Sequence, residues 1–167
     1  MPRAVSLLAL LLVLSAVPAS AARIQRLLAD LQLGDTRDMV EKVYPPKKTW
    51  KVVKDKAGFE RITLVPGDAK GFPETLAELR LTLRRGRLVL IQLVYDEDAS
   101  RKTPLNELVG ELSLAYGEAR RAGQAYWWSG SGAVVRARQA ELKAPGKEER
   151  VELRTSLELM DRDLFGR

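Results

Sequence analysis

Residues 79–84 read Leu-Arg-Leu-Thr-Leu-Arg, apolar at every second position. That is the pattern of a strand with one face buried and one face wet. Residues 88–95 follow as Leu-Val-Leu-Ile-Gln-Leu-Val-Tyr, with Gln92 the single polar member. A run this apolar predicts a central strand covered on both sides. Arg85-Gly86 between the two has the chemistry of a tight turn, so the pair forms the clearest hairpin in the chain. Val151, Leu153, Thr155, Leu157 and Leu159 alternate with Glu152, Arg154, Ser156 and Glu158 and predict one more half-buried strand.

The helical period governs other stretches. Leu105, Leu108, Val109, Leu112 and Tyr116 share one face of a helix that starts at Thr103-Pro104 and stops at Gly117. Met39, Val40, Val43 and Tyr44 make a helix of about two turns, opened by Asp35-Thr36 as capping side chains and closed by Pro45-Pro46. Ile24, Leu27, Leu28 and Leu31 have helical spacing and predict a short helix up to Gly34, with a strand or irregular lead-in as the other reading. Residues 50–53, 59–65, 125–128 and 133–142 are further strand candidates. The turns between them are Asp55-Lys56-Ala57-Gly58, Ser129-Gly130-Ser131-Gly132 and Ala144-Pro145-Gly146-Lys147. Residues 66–73, 96–102 and 118–124 read as a loop, a charged connector and a polar loop. Residues 161–165 read as a tail in which Leu164 and Phe165 cap the sheet.

The two halves follow one plan. Each has a helix ending in Tyr (Tyr44, Tyr116), then a turn residue (Pro45, Gly117), then Trp opening a strand (Trp50, Trp127), and each closes on a strongly alternating strand. The expected fold class is α+β: two tandem helix-plus-antiparallel-β-meander units, with short helices packed on one face of a twisted sheet. The expected units span residues 22–98 and 99–167.

Residues 1–21 stand apart. Met1-Pro2-Arg3 is a short basic start, residues 7–17 are almost wholly apolar, and Ala19-Ser20-Ala21 is a small-x-small cleavage signature. Together they predict a secretory signal peptide. The apolar run is too short to cross ~30 Å of hydrocarbon, and nothing later in the sequence resembles a transmembrane helix. The mature chain is therefore expected to be exported, periplasmic or extracellular, without a membrane span.

Composition narrows the chemistry. The 167 residues contain no cysteine and no histidine. Thiol chemistry, cysteine metal sites, lipidation of an N-terminal cysteine, the commonest general base and the Ser-His-Asp and Cys-His arrangements are all excluded. The formal charge is +6, and acidic and basic residues are mixed along the chain. A basic exported protein favours anionic surfaces, although a mixed surface also serves plain solubility.

Four features are candidates for function. Tyr126-Trp127-Trp128 places adjacent rings on opposite faces of a strand, one expected in the core and the other covered by a helix or open to a partner. Lys47, Lys48, Lys51, Lys54 and Lys56 near Trp50 and Phe59, with Arg84, Arg85 and Arg87 at a turn, form basic groups that edge strands use to block aggregation. Export argues against nucleic acid as their partner. Asp96-Glu97-Asp98 with Asp161 and Asp163 lacks the spacing of a calcium loop. Ser129-Gly130-Ser131-Gly132 lacks the helix that a phosphate loop or nucleophile elbow requires. The candidate binding surface is thus Tyr126, Trp127, Trp128, Trp50, Arg84 and Arg87, with no catalytic residue, metal ligand or cofactor expected.

Leu33-Gly34-Asp35-Thr36-Arg37-Asp38-Met39-Val40, the Tyr-Gly helix stop and Trp127-Trp128 resemble the repeating unit of the β-lactamase-inhibitor-protein-like fold. That fold is also seen in the small lipoprotein of the outer-membrane β-barrel assembly machinery. Gly34, Thr36 and Val40 match its Gly-x-Thr-x-x-x-Val helix start, and Tyr44-Pro45-Pro46 and Gly117-Glu118-Ala119 match its closing turn in part. The inhibitors carry disulfides and the lipoprotein a lipidated cysteine. This chain has neither, and no functional residue transfers.

The resemblance implies a non-catalytic, protein-binding periplasmic module. The function expected from all of this is an exported binding module of the bacterial cell envelope, a monomer or weak dimer, that engages a protein or envelope component through its sheet face. The alternatives are a carboxylate-dependent hydrolase of cell-wall glycan and a basic adaptor to anionic envelope lipid or polymer.

Overall fold

The alternating segments pair with one another through their backbones. A computed structural model describes residues 23–143 and 151–165. In chain order the elements are β1 (Leu27–Leu28), β2 (Leu31–Gln32), α1 (Arg37–Val43), β3 (Val52–Lys54), β4 (Phe59–Leu64), β5 (Leu76–Arg84), β6 (Arg87–Tyr95), α2 (Glu97–Lys102), α3 (Leu105–Tyr116), β7 (Arg120–Ala122), β8 (Ala125–Gly130), β9 (Ala133–Lys143), β10 (Val151–Asp161) and α4 (Arg162–Phe165). The expected signal peptide and the Ala144-Pro145-Gly146-Lys147 turn lie outside the described residues, as do the side chains of Leu164 and Phe165.

Strands β3 to β10 form one antiparallel sheet in the order β3-β4-β5-β6-β10-β9-β8-β7. The fold class is α+β. A four-stranded meander lies on each side of the β6–β10 seam, the first preceded by α1 and the second by α2 and α3.

The register explains the core. One cross-strand row runs Val52, Ile62, Leu81, Ile91, Leu159, Val135, Trp128. The next row on the same face runs Leu64, Leu79, Leu93, Leu157, Ala137, Tyr126. Val40 and Tyr44 from α1 and Leu108 from α3 are buried in the same cluster, with Leu105, Val109, Leu112 and Tyr116 packed against it. The helices therefore cover this face, and each fully buried Leu or Ile contributes about 1.5–3 kcal/mol by leaving water. Gly117 ends α3 at φ 85°, a conformation that side chains resist.

Several short elements depart from the reading of the sequence. Residues 23–33, the described part of the expected first helix, form no helix. Leu33 N–H bonds Arg26 C=O, and Leu27 and Leu28 pair with Gln32 and Leu31 across a turn at Ala29 and Asp30, whose φ values are 51° and 60°. The spacing of Ile24, Leu28 and Leu31 suits a tight hairpin as well as a helix, and docking on the core decides between them. Residues 96–102 are more than a connector. Asp96 accepts from Ala99 N–H at 2.7 Å and caps α2, with Glu97 and Asp98 in its first turn and Arg101 and Lys102 in its last, where each charge suits the helix dipole.

The polar stretch 118–124 contains β7, an edge strand held by β8. Thr36 occupies the N-cap position of α1 without a side-chain cap. Asp35 instead accepts from Gln32 N–H at 2.8 Å, and its carbonyl accepts from Leu88 N–H.

The approach to β3 hangs on Asp68. Its carbonyl accepts from Lys47 N–H and, at 3.4 Å, from the Trp50 indole. Its carboxylate accepts from Val65 N–H and pairs with Lys48 at 2.7 Å.

Two predictions follow from these local arrangements. Burial opposes the Asp68 charge, but Lys48 and the Val65 N–H outweigh it and hold the carboxyl below its ordinary 3.8. A depressed carboxyl stabilises the fold above its unfolded pKa and loses that contribution as the pH falls through the folded one. Asp68→Asn is therefore expected to be less stable than the parent at neutral pH, with the gap closing as the pH is lowered past 3.8; urea melts across that range measure it. At the β5–β6 turn, Arg85 sits at φ 50° ahead of Gly86 at 73°, a pair of positive angles that Asn-Gly adopts more easily. Arg85→Asn is expected to stabilise the protein by up to about 1 kcal/mol, read as a raised melting temperature.

Candidate functional site

The face opposite the helices carries the other half of every alternation. Its middle row runs Thr63, Arg80, Gln92, Glu158, Arg136, Trp127, Arg120. A flanking row runs Val53, Arg61, Thr82, Leu90, Met160, Val134, Ser129.

This face is concave. The Arg80 guanidinium on β5 donates to the Glu141 carbonyl on β9 at 3.0 Å, across β6 and β10. On a flat sheet the two would be separated by three strand spacings, about 14 Å, and by several residues along β9. The sheet must curl for one side chain to close that gap. Strand β6 is buried on both faces: helices cover one, and on the other, where Leu90 lines a hollow, the curl draws the flanking strands inward.

At the floor, Gln92 Nε2 donates to Ser156 Oγ at 2.9 Å. Glu158 is 1% exposed, and Arg138 Nε donates to its Oε1 at 2.8 Å while Arg136 grips its Oε2. One buried carboxylate thus serves two guanidiniums. Arg136 also stacks on the Trp127 ring, 4.8 Å from the centroid. A hollow of about 390 Å³ opens here, lined by Arg61, Arg80, Arg136, Arg138, Glu158 and Asp55 among others. A second hollow of about 620 Å³ shares Arg80 and Arg138 with it.

The residues singled out from the sequence are dispersed. Trp128 is 3% exposed and donates its indole N–H to the Gly117 carbonyl at 2.9 Å, anchoring the end of α3. Trp50 is 5% exposed in the same core. Neither offers surface to a partner, which corrects their place in the candidate surface. Tyr126 lies on the helix-covered face at the edge of the core, with Arg121 over its ring.

Arg87 is exposed near the β5–β6 turn and donates to the Gly34 carbonyl at 3.2 Å. Arg84 lies on the concave face, over Phe59 at 5.1 Å. Trp127 is half-buried on that face, and its indole N–H is buried without an acceptor among the described residues. Of the two adjacent tryptophans, one is core and the other belongs to the open side.

Reasoning on the sequence missed Arg61, Arg80, Arg136, Arg138 and Glu158. Their signal was the polar half of the alternation, visible in Arg80-x-Thr82-x-Arg84 and Arg136-x-Arg138. The acidic clusters do not meet: Asp96 caps α2, whereas Asp161 pairs with Arg26 at the opposite end of β10. Among the described residues no group of acidic side chains is arranged to hold a metal ion.

The chain matches no protein family, no curated protein and no solved structure. Its chemistry therefore rests on the geometry of this face.

Removing one member of a buried charge cluster strands the others. Glu158→Ala is expected to destabilise the fold by roughly 2–3 kcal/mol, below the full cost of a broken buried pair because both arginines keep a solvated edge. Glu158→Gln, which retains acceptor capacity, is expected to lose less; chemical denaturation of the two variants checks the order.

Proposed function

We propose that this chain is an exported, non-catalytic binding module of the bacterial cell envelope that holds a protein or envelope component on the concave face of its sheet. The observation that carries the reading is the asymmetry of the sheet. Helices seal one face, while the other presents a curved, arginine-lined trough that no described element covers. Arginine and aromatic side chains in one concave surface are the residues that dominate protein interfaces.

Export is supported by the basic start, apolar run and small-x-small signature of residues 1–21. No described helix is long and apolar enough to cross a membrane. The two halves, each a helix region followed by four antiparallel strands, are read as tandem units in the manner of the β-lactamase-inhibitor-protein-like group. Their meeting at β6–β10 supports that reading.

A hydrolase would need two carboxylates free to act on one bond. The two that line the hollow are occupied. Both Glu158 oxygens are held by arginines. Asp55 accepts from Ala57 and Phe59 N–H through one oxygen and from Arg61 through the other. The hydrolase alternative therefore gains no support from the site.

The absence of cysteine from the chain makes the face directly testable. A photo-crosslinker is attached to Ser129→Cys, on the concave face, or to Leu114→Cys, on α3 where Leu114 is 92% exposed. Envelope extract is expected to yield a discrete adduct from Ser129→Cys, competed by unlabelled protein, and none from Leu114→Cys. Equal labelling from both positions, or from neither, would overturn the reading.

A further inference from the structure

We propose that the occupant of the concave face is an acidic protein segment, whose Asp and Glu carboxylates pair with the guanidiniums of Arg61, Arg80, Arg136 and Arg138. This rests on the reading of that face as the binding surface and names the chemistry of what it binds.

The positive charge on this face is of one kind, set among the carboxylates of Asp55 and Glu158. Every basic side chain in its cross-strand rows is an arginine, and the lysines of the chain's first half lie elsewhere: Lys54 faces Glu60 on the other side of β3 and β4, and Lys47, Lys48 and Lys51 precede β3. Arginine's planar fork matches a carboxylate with two parallel bonds, which an ammonium does not.

The donors are only partly used. A guanidinium has five N–H groups. Arg80 spends two, on Glu78 and the Glu141 carbonyl. Arg138 spends two, on Glu158 and the Gln139 carbonyl. Arg136 spends two, both on Glu158. The remaining donors of these three arginines have no acceptor among the described residues. Since Glu158 is shared between Arg136 and Arg138, their two positive charges are balanced by one negative charge. A carboxylate entering the trough gains donors already held in place.

Shape favours a protein segment over other anions. The trough is concave, so a flat bilayer surface cannot meet its floor. Its two hollows share Arg80 and Arg138 in their walls, so the arginine-lined surface extends beyond one pocket and suits an extended chain better than a single small anion. Leu90 also lines it, and apolar contacts there suit side chains flanking the acidic ones.

The test is fluorescence anisotropy of a labelled glutamate-rich peptide with the full mature chain. The peptide's glutamine counterpart, phosphatidylglycerol vesicles and a thymidine oligonucleotide serve as the other arms. Arg61→Gln/Arg80→Gln removes two trough charges without touching Glu158. Lys47→Gln/Lys51→Gln removes two charges outside it, and thermal melts confirm that both variants fold.

The glutamate peptide is expected to bind, to weaken as salt is raised, and to lose about tenfold in affinity with the arginine variant while the lysine variant keeps it. Equal losses in the two variants would mean attraction to net charge alone and would overturn the proposal. So would binding of the glutamine peptide, or binding confined to vesicles or oligonucleotide. If the glutamate peptide fails while the Ser129→Cys adduct persists, the acidic chemistry falls and the binding face stands; if the adduct is also absent, the face falls with it.

Discussion

The pairing of β10 with β6 is the constraint on which the rest depends. It joins two four-stranded meanders into one sheet and sets Leu159 opposite Ile91 and Glu158 opposite Gln92. A slip of one residue would exchange the faces, placing Glu158 and Arg154 against the helices and Leu157 and Leu159 on the open side. The apolar row from Val52 to Trp128 and the polar row from Thr63 to Arg120 are therefore one fact seen from two sides. Burial of the first, worth several side chains at about 1.5–3 kcal/mol each, holds the second in position.

The concave face has a different energetic character. Taking Glu158 out of water costs more than a hydrophobic residue would in the same place, and a buried charge pair is weak evidence for stability. Its physical consequence is positional. Glu158 fixes Arg136 and Arg138, and Arg136 in turn lies on Trp127, so guanidiniums that would otherwise sample many rotamers are pre-arranged at the floor of the trough. Ordering such side chains beforehand lowers the entropy lost on binding.

Local chemistry made much of the fold legible. The Leu-x-Leu-x-Leu alternation of β5, the apolar run of β6, the Arg85-Gly86 turn and the Gly117 stop each depend on neighbours a few residues away, and each stands where the pattern puts it. The misread segments, 22–33, 96–102 and 118–124, are short. A two-residue strand or a six-residue helix has too few positions for a period to declare itself, and docking or capping decides its form. The site was less legible. Trp50 and Trp128 drew attention as large aromatics, yet their size is what drives them into the core, while the arginines read as ordinary solvated charge.

By itself the sequence determined which residues alternate, where turns and stops fall, and that most strands carry one apolar and one polar face while β6 is apolar on both, because these follow from backbone geometry over a few residues. Only the tertiary structure decided that β6 meets β10, that the sheet curls, and that Arg80, Arg136, Arg138 and Glu158 gather in one trough around Gln92 and Ser156. Gln92 and Ser156 lie 64 residues apart in the chain. No local pattern encodes which distant strands lie side by side; that depends on the burial of the whole apolar face at once.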